Sequence, residues 1–242
     1  MCGRFAQPRS AEELARIFRA RAATDLDGGR FNVAPTDPVA AVVVHHGERV
    51  VDEFRWGLVP AYEESPRGAA RHINARSETV SSSPAFRASF RRRRCIVPAD
   101  AFYEWRRVRD PATGRVVQRQ PFAIRPVADD PFAFAGLWTT WRDPETADRL
   151  YTVSILTGSP NELVAPVHDR MPIILDPGDR DAWLDPQAPE SALVTLLRTA
   201  DAAAMRMYPV SPAVNSVRSQ GADLLAPLSR WGSDRQAQLW PT

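Results

Sequence analysis

The chain has 242 residues, 44% hydrophobic and 25% charged, with a formal net charge of +2. That length supports a sizeable core, and no apolar run reaches the roughly 18 residues that a membrane span needs. Arg4, Arg9, Glu12 and Glu13 interrupt any secretory leader. A cytoplasmic protein with no membrane partner is expected. Two cysteines, Cys2 and Cys95, suit a reducing compartment better than a disulfide framework. Every one of the 31 basic residues is arginine. Arginine grips phosphate through a planar fork, although a GC-rich genome produces the same bias. With no lysine amine present, any Schiff base must use the α-amine.

Along the chain, Ser10-Ala11-Glu12-Glu13 reads as a capping box that starts a helix ending near Ala20. Residues 24–29 form a loop. Val39–Val44 and Val50–Trp56 are β-branched runs separated by His45-His46-Gly47, a hairpin. Ser83-Pro84 before Phe86 and Phe90 predicts a short helix with proline in its first turn. Cys95–Val97 and Ala101–Trp105 read as strands interrupted by Pro98-Ala99-Asp100, and Asp110–Gly114 reads as a turn. Further strands are expected at Pro121–Ile124, Phe132–Leu137, Tyr151–Leu156, Ile173–Leu175 and Met205–Val210. A helical turn is expected at Asn161–Val164, and helices at Asp181–Leu184 and Ser191–Ala200. There is no βαβ rhythm, and 22 prolines punctuate the strands. The expectation is an α+β fold: a single domain over 1–225 with a curved, barrel-like, mainly antiparallel β core and flanking helices, then a weak tail over 226–242.

The most informative residue is Cys2. If Met1 is removed, Cys2 carries an α-amine and a thiol two carbons apart. The amine condenses with an aldehyde to an imine, and the thiol closes on the imine carbon to form a five-membered thiazolidine. The reference pKa values, about 7.7–8.0 for the amine and about 8.5 for the thiol, leave both partly reactive near neutrality. Glu104 lies among aromatics in Phe102-Tyr103-Glu104-Trp105, where desolvation raises its pKa toward acid–base use. His168, in Val167-His168-Asp169-Arg170-Met171-Pro172, suits the proton transfer of carbinolamine dehydration as a general acid. The four histidines show no metal-ligand spacing, and no metal or cofactor is expected.

Five segments, MCGRF, RWGLVP, HINARSET, CIVPADAFYEW and PVHDRMP, occur in that order. Together they resemble the SRAP (SOS-response-associated peptidase) family from Met1 to about Gly221. The resemblance implies covalent capture of abasic sites in single-stranded DNA through a thiazolidine on Cys2, by a monomer that associates with the nucleoid when bound. It implies catalytic roles for Cys2, Asn74, Glu104 and His168, with Asn74 orienting the Cys2 amine or the sugar. It implies phosphate contacts from Arg4, Arg76 and Arg170, a weaker one from Thr157, and an apolar face from Trp56 and Leu58 beside the lesion. The run Arg91-Arg92-Arg93-Arg94 suits either a DNA footprint or a solvated helix end, with one arginine directed inward to a carboxylate. Two other readings stay open: an N-terminal-nucleophile cysteine peptidase, and a nucleic-acid-binding module without chemistry.

Overall fold

The strands exist because short β-branched and aromatic runs alternate in burial between proline and glycine breaks. The computed structural model describes residues 2–110 and 113–228. The tail expected over 226–242 therefore lies, from residue 229, outside the described residues, as do Met1 and two residues of the 110–114 turn. In chain order come β1 (Phe5–Gln7), α1 (Ala11–Phe18), β2 (Arg21–Ala22), β3 (Arg30–Val33), β4 (Pro38–His45), β5 (Glu48–Trp56) and β6 (Asn74–Arg76). Then follow α2 (Arg87–Arg92), β7 (Arg94–Ala99), β8 (Ala101–Arg109), β9 (Val116–Pro126), β10 (Phe132–Arg142) and β11 (Arg149–Gly158). The chain continues through β12 (Met171–Pro172), α3 (Arg180–Leu184), α4 (Glu190–Thr195) and β13 (Met205–Pro209).

Two sheets share the molecule. Strands β5, β4, β7, β10 and β11 pair in that order, and a parallel contact of β11 with β5 closes them into a five-stranded barrel. The parallel seam makes the barrel mixed; its other pairings are antiparallel. The second sheet runs β13-β9-β8-β1-β3. Alternation along each barrel strand builds two cores. Val42, Ile96, Ala133 and Leu156 face one side with Leu14 and Phe18 of α1, Phe90 of α2 and Trp183 of α3. Helices cannot fit inside five strands, so this side is the barrel exterior. The opposite face, with Val39, Val97, Phe134 and Ile155, lines the interior, and Cys2, Phe5 and Phe102 join it from the second sheet.

The capping box on α1 forms as expected, and Arg19 ends the helix in the left-handed region. The second helix starts three residues after Pro84, at Arg87, because residues 79–86 are held as consecutive turns. Pro98 and Ala99 are not an interruption: they lie inside β7, paired with Ala133 and Phe132 of β10. β8 and β9 run well past the apolar residues that announced them, as a long hairpin whose outer part is exposed. β12 stops at Pro172, and Ile174 makes only an isolated bridge to Phe134. α4 ends at Thr195.

The arginine run is mostly structural. Arg94 is buried and donates to the carbonyls of Phe90, Arg91, Trp183 and Asp185, closing the ends of α2 and α3. Its inward partners are carbonyls, where a carboxylate was expected. Arg91 pairs with Glu190 at 3.0 Å, and Arg93 donates to Thr139 Oγ1 at 3.0 Å. Only Arg92 of the four is exposed without a partner among the described residues.

Candidate active site

The site is built where β1 brings the start of the chain onto β8. Phe5 and Ala6 face Phe102 and Ala101, and the Tyr103 N–H donates to the Arg4 carbonyl at 2.9 Å. Period-two alternation then puts Phe102 and Glu104 on the side of the barrel-interior core and Tyr103 on the other. Cys2, fully buried, joins that same core. Burial, reinforced by the charge of Glu104, pushes the Cys2 thiol far up, so it rests protonated. Glu104 is only 3% exposed, and desolvation pushes its carboxyl up to about 8.

β6 delivers Asn74. It pairs in parallel with β11, Asn74 beside Ile155. The Asn74 amide donates to the Cys2 carbonyl at 2.8 Å, while its buried Oδ1 accepts from no described group. A vacant acceptor beside Cys2 suits an amine or a sugar hydroxyl.

His168 arrives on the turn after β11. Asn161 steadies that turn: its Oδ1 accepts from the Val164 N–H at 3.0 Å, and its amide donates to the Ala200 carbonyl at 3.0 Å. The His168 N–H closes the turn onto the Val164 carbonyl. Nε2 of His168 stands 4.0 Å from Glu104 Oε2. Nδ1 has two neighbours with opposite demands: the Arg170 N–H donates to it at 3.0 Å, and an Asp169 carboxylate oxygen lies 2.9 Å away. The backbone donor is fixed, whereas the Asp169 side chain is 88% exposed and water-screened. The resting ring therefore keeps its proton on Nε2, toward Glu104. Burial lowers the His168 pKa, which favours the neutral ring. Burial thus leaves a dissociable proton on Glu104 near neutrality, as its aromatic surroundings led one to expect, and favours the uncharged form of His168.

The arginines and apolar residues assigned to DNA sort differently. Trp56 and Leu58 are fully buried and offer no face to a base. Trp56 packs edge-on to Phe5 at 5.0 Å and donates to the Ile73 carbonyl at 2.9 Å, which holds the residue before Asn74. It acts on the site from behind. Thr157 is fully buried, with its carbonyl and hydroxyl taken by Arg170. Arg170 also forms a two-pronged pair with Glu78, at 2.6 and 2.9 Å. Arg4 donates to Asn32 Oδ1 at 2.8 Å and to the Val214 carbonyl at 2.9 Å, with its guanidinium 5.8 Å from the Trp105 ring centre. Both arginines are engaged by the protein itself. Arg76, on β6, is exposed without a partner among the described residues.

Beside the Glu104–His168 pair lies a groove of about 580 Å³ between β8–β9 and the 165–169 turn. Trp105, Arg106, Arg107 and Arg119 line it, and none of the three arginines has a partner among the described residues. Sequence reading missed this wall because it ended the strand at Trp105. Arginines on both sides of the 110–114 turn were the available signal. Among the described residues, no three His, Cys, Asp or Glu side chains are placed to hold a metal ion, and no helix is long and apolar enough to cross a membrane.

A closed barrel brings a buried cysteine, a proton-bearing Glu and a His into one cluster, and that cluster sits in a chain of recognisable class. The chain belongs to the SRAP (SOS response associated peptidase) family, whose model matches residues 1–217. It is 36% identical to abasic site processing protein YoqW of Bacillus subtilis, over 93% of this chain and 99% of that one. It is 32% identical to abasic site processing protein HMCES of Gallus gallus, over 94% of this chain and 78% of that one. The fold matches a crystal structure from Bacteroides thetaiotaomicron with a TM-score of 0.83 at 23% identity, covering 94% of this chain and all (100%) of the other.

Proposed function

We propose that this protein processes abasic sites in single-stranded DNA by a single-turnover covalent capture, with Cys2 as nucleophile after Met1 removal. The relatives' names support abasic-site processing as the activity. The observation that carries the chemistry is the convergence of Cys2, the Asn74 clamp on its carbonyl, and Glu104 with a carboxyl raised to about 8.

Glu104 relays protons in three of four steps. Its acid form gives a proton to O4′ of the closed sugar and takes one from the C1′ hydroxyl, freeing the aldehyde. The Cys2 amine adds to C1′, and one amine proton passes to the oxygen. Glu104 then protonates that hydroxyl, which leaves as water, giving an iminium and a carboxylate. The carboxylate takes the thiol proton, and sulfur adds to C1′. The nitrogen keeps its hydrogen, the ring is closed, and the net product besides the adduct is one water. A buried, neutral thiol suits this order, because the base it needs appears only once the iminium exists. The His168 Nε2–H steadies the carboxylate stage. An iminium at C1′ also acidifies C2′, so weak strand cleavage by β-elimination competes until sulfur closes the ring.

The test is intact mass. Purified protein should lack Met1, and after mixing with an abasic single strand it should gain the mass of the oligonucleotide less one water, surviving denaturation. Mature protein that retains Met1, or strands released unmodified by detergent, would overturn the proposal.

A further inference from the structure

β1 pairs with β8 only over Phe5 and Ala6, so past Tyr103 no strand among the described residues covers that edge of β8. Side chains from both faces of the hairpin reach the groove there. Arg107 and Arg119 are register partners on β8 and β9. Directly opposed residues share a face, and like charges in that position destabilise a hairpin. Trp105, two residues before Arg107 and about 6.6 Å along the strand, shares that face. Its indole N–H is tied to Asn215 Oδ1 at 2.6 Å, and the ring lines the groove. The Arg107 charge reaches His168 and contributes to lowering its pKa, behind burial.

We infer that this groove is a second DNA subsite, in which Arg107 and Arg119 together hold a phosphodiester beside the lesion and Trp105 packs against the adjoining base. An anion placed between two exposed, unpartnered guanidinium groups offsets their repulsion, and a phosphodiester accepts from both forks. A rigid indole next to paired cations fits the alternation of base and phosphate better than an acidic peptide. Stacking of this kind contributes about 1–3 kcal/mol per base. The inference extends the Cys2 reading by supplying strand contacts that Arg4, Arg170 and Trp56 do not offer.

The test uses the full chain and an undamaged, fluorescein-labelled single strand, with affinity measured by anisotropy over a range of salt. Arg107→Ala with Arg119→Ala should weaken binding about tenfold at moderate salt. It should also make the log–log salt slope shallower by about 0.7, the contribution of the one phosphate the pair holds. Arg107→Lys with Arg119→Lys should restore most of the slope. Arg16→Ala with Arg92→Ala, removing two exposed charges elsewhere, should leave it unchanged. The thermal midpoint of the alanine pair should equal or exceed that of wild type, because a repulsion is removed. An unchanged slope in the groove variant, or an equal loss in the Arg16/Arg92 variant, overturns the subsite. Wild-type adduct formation on an abasic strand, scored in parallel, separates the two claims. Adduct with an unchanged slope sinks only the groove, whereas a slope change with no adduct sinks only the Cys2 chemistry.

Discussion

Burying Glu104 costs stability once its carboxyl ionises. Its carboxyl has an ordinary value of 4.5 and sits near 8 when folded. Between those values the folded state holds a proton that the unfolded chain releases, so folding stability falls as pH rises through that window. Glu104→Gln removes the dependence. We expect the variant to be more stable than wild type by on the order of a few kcal/mol at pH 8, with the difference vanishing below about pH 4.5. Thermal melts across pH measure this. The same variant should lose most adduct formation, the exchange of stability for activity common at such sites. Cys2→Ala separates the two nucleophiles: its amine still forms the imine, but nothing closes the ring. Denaturing gels should show the heat-stable adduct gone and strand cleavage at the lesion increased; an undiminished adduct would rule out the thiazolidine. Asn74→Ala leaves the Cys2 carbonyl without its donor, at a cost of about 1–3 kcal/mol. It should slow capture more than a substitution at Thr157, which the structure places in the interior.

Elements hold these residues through a few tight approaches. Gly57 ends β5 at φ +123°, and its N–H donates to the Val153 carbonyl at 2.8 Å, extending the parallel seam that closes the barrel. A Cβ there would stand 2.7 Å from the Ala69 carbonyl oxygen. Gly57→Ala is expected to cost about 3 kcal/mol through strain and overlap. Because Trp56 next to it holds Ile73, the loss should also loosen Asn74; chemical denaturation and adduct yield should fall together. The capping box of α1 and the β4–β5 hairpin were readable from local pattern, since their determinants lie within a few residues. β1, β3 and β6 were not: each is three or four residues long, and its partners lie far along the chain. The outer β8–β9 hairpin was missed for another reason. Its residues are mostly polar, and Val108, Val116 and Val117 are exposed on it, so no buried face alternates there and only pairing to the buried half extends it.

In the assembled protein, Asn32 joins Arg4, just before β1, to the segment after β13. Its Oδ1 accepts from Arg4, and its amide donates to the carbonyls of Ser216 at 2.9 Å and Ser219 at 3.0 Å. Asn32→Ala should free the segment after β13 and expose amides of residues 214–225 to hydrogen exchange, while the barrel strands stay protected. The sequence was sufficient to single out Cys2, Glu104 and His168 as candidate reactive groups, to add Asn74 through the family resemblance, and to indicate a strand-rich core, because residue chemistry and short-range periodicity are local properties. It was not sufficient to say which arginines are available. Arg4, Arg94 and Arg170 are taken by partners between 3 and 210 positions away, whereas Arg107 and Arg119 are set against each other. Nor did it fix how far the Glu104 carboxyl rises, to about 8. Both outcomes depend on burial and on charges brought together from distant segments, and only folding creates those.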